Sequence, residues 1–324
     1  SSPYRSGSTT TRAGGPPRRP ARRWTSQSFR FHHARKTDAK SGSSASAATG
    51  PSRAGGISGF ALGLVILGGA LAVALVGPGL VPHDPLVQEL AARNAPPDAL
   101  HWLGRDHLGR DVLARLAAGT RISLAVALGA TLLALLLGAG LGLAAEALGR
   151  WPSFLVFGAF DMVRAMPSIL LALTLMVALG IGIWPLILAL GVAYAPHMAL
   201  VARAAWRRVG ASGYVAAARV MGAAPLATLW RHVLPNIAGA LVTQAAIIMP
   251  RAITTESVLS FFGLGVSPET PSWGRMISGA SRFAESAPHA VLAPVLALCV
   301  VTLGFALVGD RLRLALDPLR ERGR

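Results

Sequence analysis

Arg251 and Glu256 stand inside an otherwise apolar run from Ile237 to Phe261. Ionisable side chains in such a run are costly to hold away from water. Where they occur they pair with a neighbouring helix or line a polar path for a solute. Both are candidates for a translocation path; the competing reading is that the run ends early and both reach the outer interface. Asp161 and Arg164, near the start of another apolar run, read as interfacial or paired. Glu146, at the end of a third, reads as solvated.

Catalytic chemistry has no comparable footing. A phosphate-binding loop needs a Gly-rich turn followed by lysine, yet the only lysines are Lys36 and Lys40, and no GxxxxGK[ST] occurs. Neither HExxH nor a GxSxG elbow is present. Cys299 is the sole cysteine, so an intrachain disulfide or a cysteine metal cluster is excluded. The histidines are scattered; His101 and His107 share a loop, too few ligands to assign a metal. The chain reads as a non-enzyme with no metal and no cofactor of its own.

The elements that position these residues are membrane spans. The chain is 52% hydrophobic and only 14% charged, against roughly 25% charged in an ordinary soluble domain. A hydrocarbon core needs roughly 20 apolar residues in a helix, and six runs qualify: 57–81, 122–147, 154–180, 183–201, 237–261 and 291–308. The fold class is therefore all-α integral membrane, a bundle of about six transmembrane helices. Lys and Arg gather on the tail, 148–166, 202–236 and 309–324, which places both termini inside.

A net charge of +17 is a feature of nucleic-acid binders, but most of it lies in residues 1–56, with eleven Lys/Arg and the single acid Asp38. This Ser-, Arg-, Gly- and Pro-rich segment cannot bury enough apolar surface to order itself, so it reads as a disordered basic cytoplasmic tail. An organelle transit peptide and a nucleic-acid arm are alternatives; the first lacks an amphipathic face. Residues 318–324 read as a short C-terminal tail.

Three loops carry pattern. The first reads HWLGRDHLGRDVLARLAAGTRISL from His101. Its Asp111–Leu116 segment suits an amphipathic helix at the interface with Arg110 and Arg115 turned to water, unless it is an ordinary surface loop. The second, RAAWRRVGASGYVAAARVMGAAPLATLWRHVLPN from Arg203, predicts a short helix over 214–221, a left-handed turn at Gly222 and a second helix from Pro225. Pro235 then stops or kinks that helix before the next span. Such a cytoplasmic helix–turn–helix either anchors the protein at the interface or docks in a partner's groove. The third loop, LSFFGLGVSPETPSWGRMISGASRF from Leu259, offers Trp273 as an interfacial anchor.

Together these stretches resemble the membrane permease subunits of the dipeptide/oligopeptide/nickel family of bacterial ATP-binding-cassette importers, in the form of the C-type partner. The resemblance runs from about Ile57 to Asp317 and includes GDRLRLALDP near the C-terminus. Ala217, Ala218, Gly222, Leu234 and Pro235 fill positions of the permease coupling-loop signature, while Ala216 stands where the general signature has Glu.

The resemblance implies an ATPase-coupling loop built from Tyr214, Ala217, Ala218, Arg219, Gly222, Ala223, Pro225, Leu234 and Pro235. It also implies a homologous B-type permease as heterodimer partner, two cytoplasmic ATPase subunits that bind the ATP and Mg, and an extracytoplasmic solute-binding protein. The expected function is translocation of di- or oligopeptides, or a related solute such as nickel, across the inner membrane. The alternative is a self-sufficient secondary transporter or channel, which would want ionisable groups deep in the helices and an internal repeat.

Overall fold

The computed structural model describes residues 53–315. The expectations for the tail before residue 53 and for residues 316–324 lie outside the described residues. Among those described, every regular element is helical apart from an isolated bridge between Arg105 and Asp111.

The elements in chain order are α1 (Arg53–Leu80), α2 (Val112–Leu148), α3 (Arg150–Arg164), α4 (Ser168–Leu179), α5 (Ile183–Gly210), α6 (Gly213–Val220), α7 (Pro225–Phe261), α8 (Trp273–Ser281) and α9 (Pro288–Ala315). Five of these, α1, α2, α5, α7 and α9, are long and apolar enough to cross a membrane. Helix α1 starts within the segment expected to be tail, because an established helix gains a hydrogen bond for every residue it adds.

The run expected as one span over 154–180 is two helices bent by 92°. Pro167 has ψ of 132°, outside the helical region, and lacks the N–H that would continue the ladder. At about 1.5 Å per residue, the 12 residues of α4 fall short of a bilayer core of roughly 30 Å. By the same measure the 37 residues of α2 and of α7 reach well past it. Their surplus turns project beyond the apolar zone, at one end carrying Val112–Arg121 and at the other Pro225–Pro235.

The core is made where α2 packs on α5 and α7, with α1 and α9 paired outside them. It is built of Val126, Ala127, Ala130 and Ala134 against Leu186, Ala189, Leu190 and Met198, and of Ile248, Ile253 and Leu259 against Trp273. Small side chains let membrane helices approach closely. The extreme case is Gly138, where an added Cβ would overlap the Ala195 carbonyl; α2 is a π-helix over Leu135–Gly140 at this crossing.

Loop 81–111 and segment 262–287, which carries α8, sit at one end of the bundle: the Gly182 amide before α5 bonds the Gly265 carbonyl at 3.2 Å, and His289 at the start of α9 lies 3.2 Å from the Arg105 carbonyl. The α5–α7 connection lies at the other end.

Candidate functional site

The α5–α7 connection is a short helix ended by a left-handed turn. Gly222 has φ of +80°, and the Ala223 amide reaches back to the Ala218 carbonyl at 3.0 Å, the long bond of a Schellman cap. Pro225 then takes the first helical position of α7. Val215 and Ala218 face inward, with Leu229 and Val233 buried beyond the turn. Tyr214 and Arg219 fall within α6, and Ala217 is exposed.

The helix expected from Pro225 forms, but it does not stop before the next span. α7 runs on through Leu234 and Pro235, with a π-helical segment at Leu229–Val233. The π turn supplies the slack that a missing proline N–H demands, and the Asn236 side chain donates to the His232 carbonyl at 2.7 Å.

Sequence reasoning missed what the elbow displays. Val220 is 89% exposed, Met221 80% and Trp230 67%. Three large apolar side chains so near one turn mark a contact surface. The available signal was Val220 and Met221 directly before Gly222, with Trp230 following Pro225, all in a connection outside the apolar runs.

The structure separates Arg251 from Glu256. Glu256 has no exposed surface: it neither reaches an interface nor opens on a path. Its Oε2 accepts from Ser123 at 3.1 Å and Ser257 at 3.3 Å, and its Oε1 from Ser260 at 2.7 Å. Buried carboxyls persist only when bonded in this way. Ser123 also accepts the Trp273 amide at 3.3 Å, so α2, α7 and α8 are tied at one point.

Arg251 is exposed and forms no ion pair among the described residues. It borders a recess of about 440 Å³ with Ser168, Tyr194, His197, Thr254, Thr255 and Thr302. Tyr194 shares a 2.8 Å hydrogen bond with Thr255 and donates at 3.3 Å to the Arg251 carbonyl.

At the loop end, the expected interfacial helix at Asp111–Leu116 is the first turn of α2, and its arginines are not in water. Arg115 is only 2% exposed and donates to the Pro85 carbonyl at 3.1 Å. Arg110 is also buried and pairs with Asp106 at 2.7 Å. Burial alone would push the Asp106 carboxyl up, but the Arg110 hydrogen bond and charge, with backbone N–H donors, hold it below 3.8. Buried guanidiniums need such partners, and separate chain segments supply them.

His83, His101 and Asp111 converge with ligand atoms within 4.8 Å, whereas His107 points elsewhere, stacked on Phe283. The donor set does not suit a metal. Asp111 Oδ2 lies 2.6 Å from His101 Nδ1 while the Arg105 guanidinium lies 2.7 Å from Nε2. Arginine can only donate, so Nε2 accepts and Nδ1 keeps its proton for Asp111. A metal-bound histidine instead turns its second nitrogen to an acceptor. The cluster is a clamp: Asp111 also caps α2 by accepting the Ala114 amide at 2.6 Å.

At the elbow end, Glu146 is not solvated. It accepts from Arg203 and from Ser153, both at 2.7 Å, and Arg203 lies 3.9 Å over the Phe157 ring. Asp161 and Arg164 pair with each other at 3.2 Å on the surface.

Residues 138–322 match the family model described as "Binding-protein-dependent transport system inner membrane component". The dipeptide transport system permease protein DppC of Alkalihalophilus pseudofirmus is 34% identical over 257 residues, covering 79% of this chain and 84% of that protein. The glutathione transport system permease protein GsiD of Pectobacterium atrosepticum is 36% identical over 225 residues, covering 69% and 75%. Among solved structures, inward-facing MetNI, a methionine ABC transporter, superposes with a TM-score of 0.52 at 20% identity over 63% of this chain and 96% of that one.

Proposed function

This chain belongs to the family of binding-protein-dependent transport inner membrane components, and from that premise we propose that it is the C-type half of a peptide-conducting pathway. As a family member it is a multi-pass inner-membrane permease subunit of an ABC importer. Its work depends on ATPase subunits, a binding protein and a second permease. The peptide assignment rests on relatives named as dipeptide, peptide and glutathione permeases. The second permease is a non-identical B-type homologue, and both termini and the elbow face the cytoplasm.

The elbow carries the coupling. Tyr214, Ala217, Ala218 and Arg219 lie on α6, Gly222 and Ala223 form the turn, and Pro225, Leu234 and Pro235 lead into α7. The single observation behind this reading is the exposed Val220, Met221 and Trp230 around a rigid left-handed turn. Apolar knobs around such a turn between helices suit a groove in a partner. Because α7 is continuous from the elbow to Phe261, a push on the turn is transmitted along one helix. ATP bound by the ATPases acts through its unequal affinity for the two states of the assembly. ATP and Mg belong to the ATPases, and this chain holds no cofactor.

The test is reconstitution with the partner subunits. Peptide uptake is expected only with ATP and all subunits present, and in a Cys299→Ser background a thiol reagent is expected to reach Met221→Cys only from the cytoplasmic side. Uptake by this chain alone on an ion gradient, or labelling of that cysteine from outside, would overturn the assignment.

A further inference from the structure

Arg251 occupies a place in the fold that a cation reaches only for a reason. It lies ten residues from the end of α7 at Phe261, which is about 15 Å at 1.5 Å per residue. Tyr194 and Thr302 are eleven and fourteen residues from the starts of α5 and α9, about 16 and 21 Å by the same rise. The recess they share is therefore near the middle of a bilayer core of roughly 30 Å. A guanidinium there, exposed and without a carboxylate partner among the described residues, does not belong against lipid; in spans such groups face an aqueous cavity.

The neighbours support this. His197 Nδ1 and Thr302 Oγ1 are buried and have no hydrogen-bond partner among the described residues. Thr254 and Thr255 add hydroxyls, and no Asp or Glu lines the recess. Buried polar atoms are normally satisfied, so the two orphans fit a wall completed by water or a passing solute. Its volume of about 440 Å³ lies in the range of small-molecule sites.

We propose that this recess is a solute subsite on the translocation path, in which Arg251 receives a carboxylate of the solute while His197 and the threonine hydroxyls contact its neighbouring polar atoms. The proposal deepens the peptide reading and rests on it. Every peptide with a free C-terminus brings a carboxylate, which arginine binds through a fork of donors. A bare divalent cation would meet the fixed charge of Arg251 with no Asp or Glu in the lining to offset it, so the same geometry disfavours metal ions as cargo.

Two experiments on the complete importer in proteoliposomes test it. In a Cys299→Ser background, Arg251→Cys is treated with a membrane-impermeant sulfonate thiol reagent. Reaction is expected if the position lines water; inertness in all transport states overturns the proposal. Second, uptake is compared for dipeptides and their C-terminal amides, using pairs that the binding protein holds equally. Arg251→Met is expected to lower uptake of the free acid roughly tenfold or more, the scale of one lost charge-assisted hydrogen bond. Uptake of the amide and ATP hydrolysis stimulated by the loaded binding protein are expected to stay near wild type. Equal loss for acid and amide, or no loss for either, overturns it. Arg251→Gln gives the same comparison should the Met variant not assemble. Failure of both to assemble, with Arg251→Lys intact, assigns the charge to an ion pair between subunits and also overturns the proposal. Absence of ATP-dependent uptake by the wild type would instead overturn the importer reading.

Discussion

The hydroxyl of Ser123 on α2 donates to the carboxyl of Glu256 on α7 at 3.1 Å, across 133 residues of sequence and with both side chains fully buried. Ser123 also accepts the amide of Trp273, the first residue of α8, so one carboxyl and one hydroxyl tie three helices together. Glu256→Gln keeps one acceptor oxygen and the side-chain shape, and it is expected to insert and assemble. Glu256→Leu leaves the three serine hydroxyls without their acceptor, at about 1–3 kcal/mol for each group so stranded. The expected order of thermal stability in detergent is wild type, then Gln, then Leu clearly lowest. A Leu variant as stable as wild type would remove the structural role assigned to this carboxyl.

At Gly222 the backbone, not the available space, sets the constraint. Its φ is +80°, and an added Cβ would meet nothing within 4 Å. A β-branched residue is therefore disfavoured by its own conformation, at about 1–2 kcal/mol, and not by collision. Gly222→Val is expected to insert normally and to hydrolyse ATP in the assembled importer while transport falls several-fold, because the turn no longer holds one geometry under load. Gly222→Asn, which tolerates the left-handed region, should recover much of the coupling. The ratio of solute moved to ATP hydrolysed checks this; an unchanged ratio in the Val variant would contradict it.

The apolar runs made the helices legible, and Gly222 with Pro225 made the turn legible, because both signals are local. The bend at Pro167 was not, since an apolar run reads as continuous and proline is tolerated inside spans. Pro235 was expected to stop or kink its helix; α7 does not stop there but runs on past it, with a π turn at Leu229–Val233 just before. Arg115 was expected in water because its acceptor, the Pro85 carbonyl, lies 30 residues away. Glu146 was misplaced for the same reason, its partners Ser153 and Arg203 lying on other helices, and Glu256 in part, since Ser123 lies on α2 while Ser257 and Ser260 share its own helix. What failed is the set of contacts fixed by tertiary packing, which no window along the chain contains.

Acid should loosen the loop end of the bundle in two stages. Burial holds His107 below its usual 6.5, with the charges of Arg110 and Arg115 acting in the same direction and Asp106 opposing them. The folded state therefore binds fewer protons there than the unfolded chain, and stability declines as pH drops from 6.5 toward the lowered value. Asp106 is held below 3.8 by Arg110 against the effect of its burial, so its contribution is present above 3.8 and is lost as pH falls through the depressed value. His107→Gln is expected to flatten the first stage and Asp106→Asn the second. Fluorescence of Trp102, which donates to the Ala99 carbonyl at 3.2 Å in this loop, gives the readout. Identical pH profiles in all three proteins would count against both assignments.

At the opposite end, one oxygen of Glu146 collects Arg203 and Ser153, and Arg203 at the same time covers the Phe157 ring. The cluster joins α2, α3 and α5 shortly before α5 runs out at Gly210 into the elbow. Side-chain exposure is 12% for Glu146 and 27% for Arg203, so solvent screens the pair only in part, and it should exceed the ~0–1 kcal/mol of a surface ion pair. Arg203→Ala is expected to cost about 1–3 kcal/mol, combining a charge-assisted hydrogen bond with a cation–π contact. Arg203→Lys keeps the charge but loses the planar stacking, so it should fall between. In a double-mutant cycle, Glu146→Ala with Arg203→Ala should cost less than the sum of the single changes, since the second removal strands no further charge. If the two losses simply add, the residues are independent and the cluster does not brace the elbow.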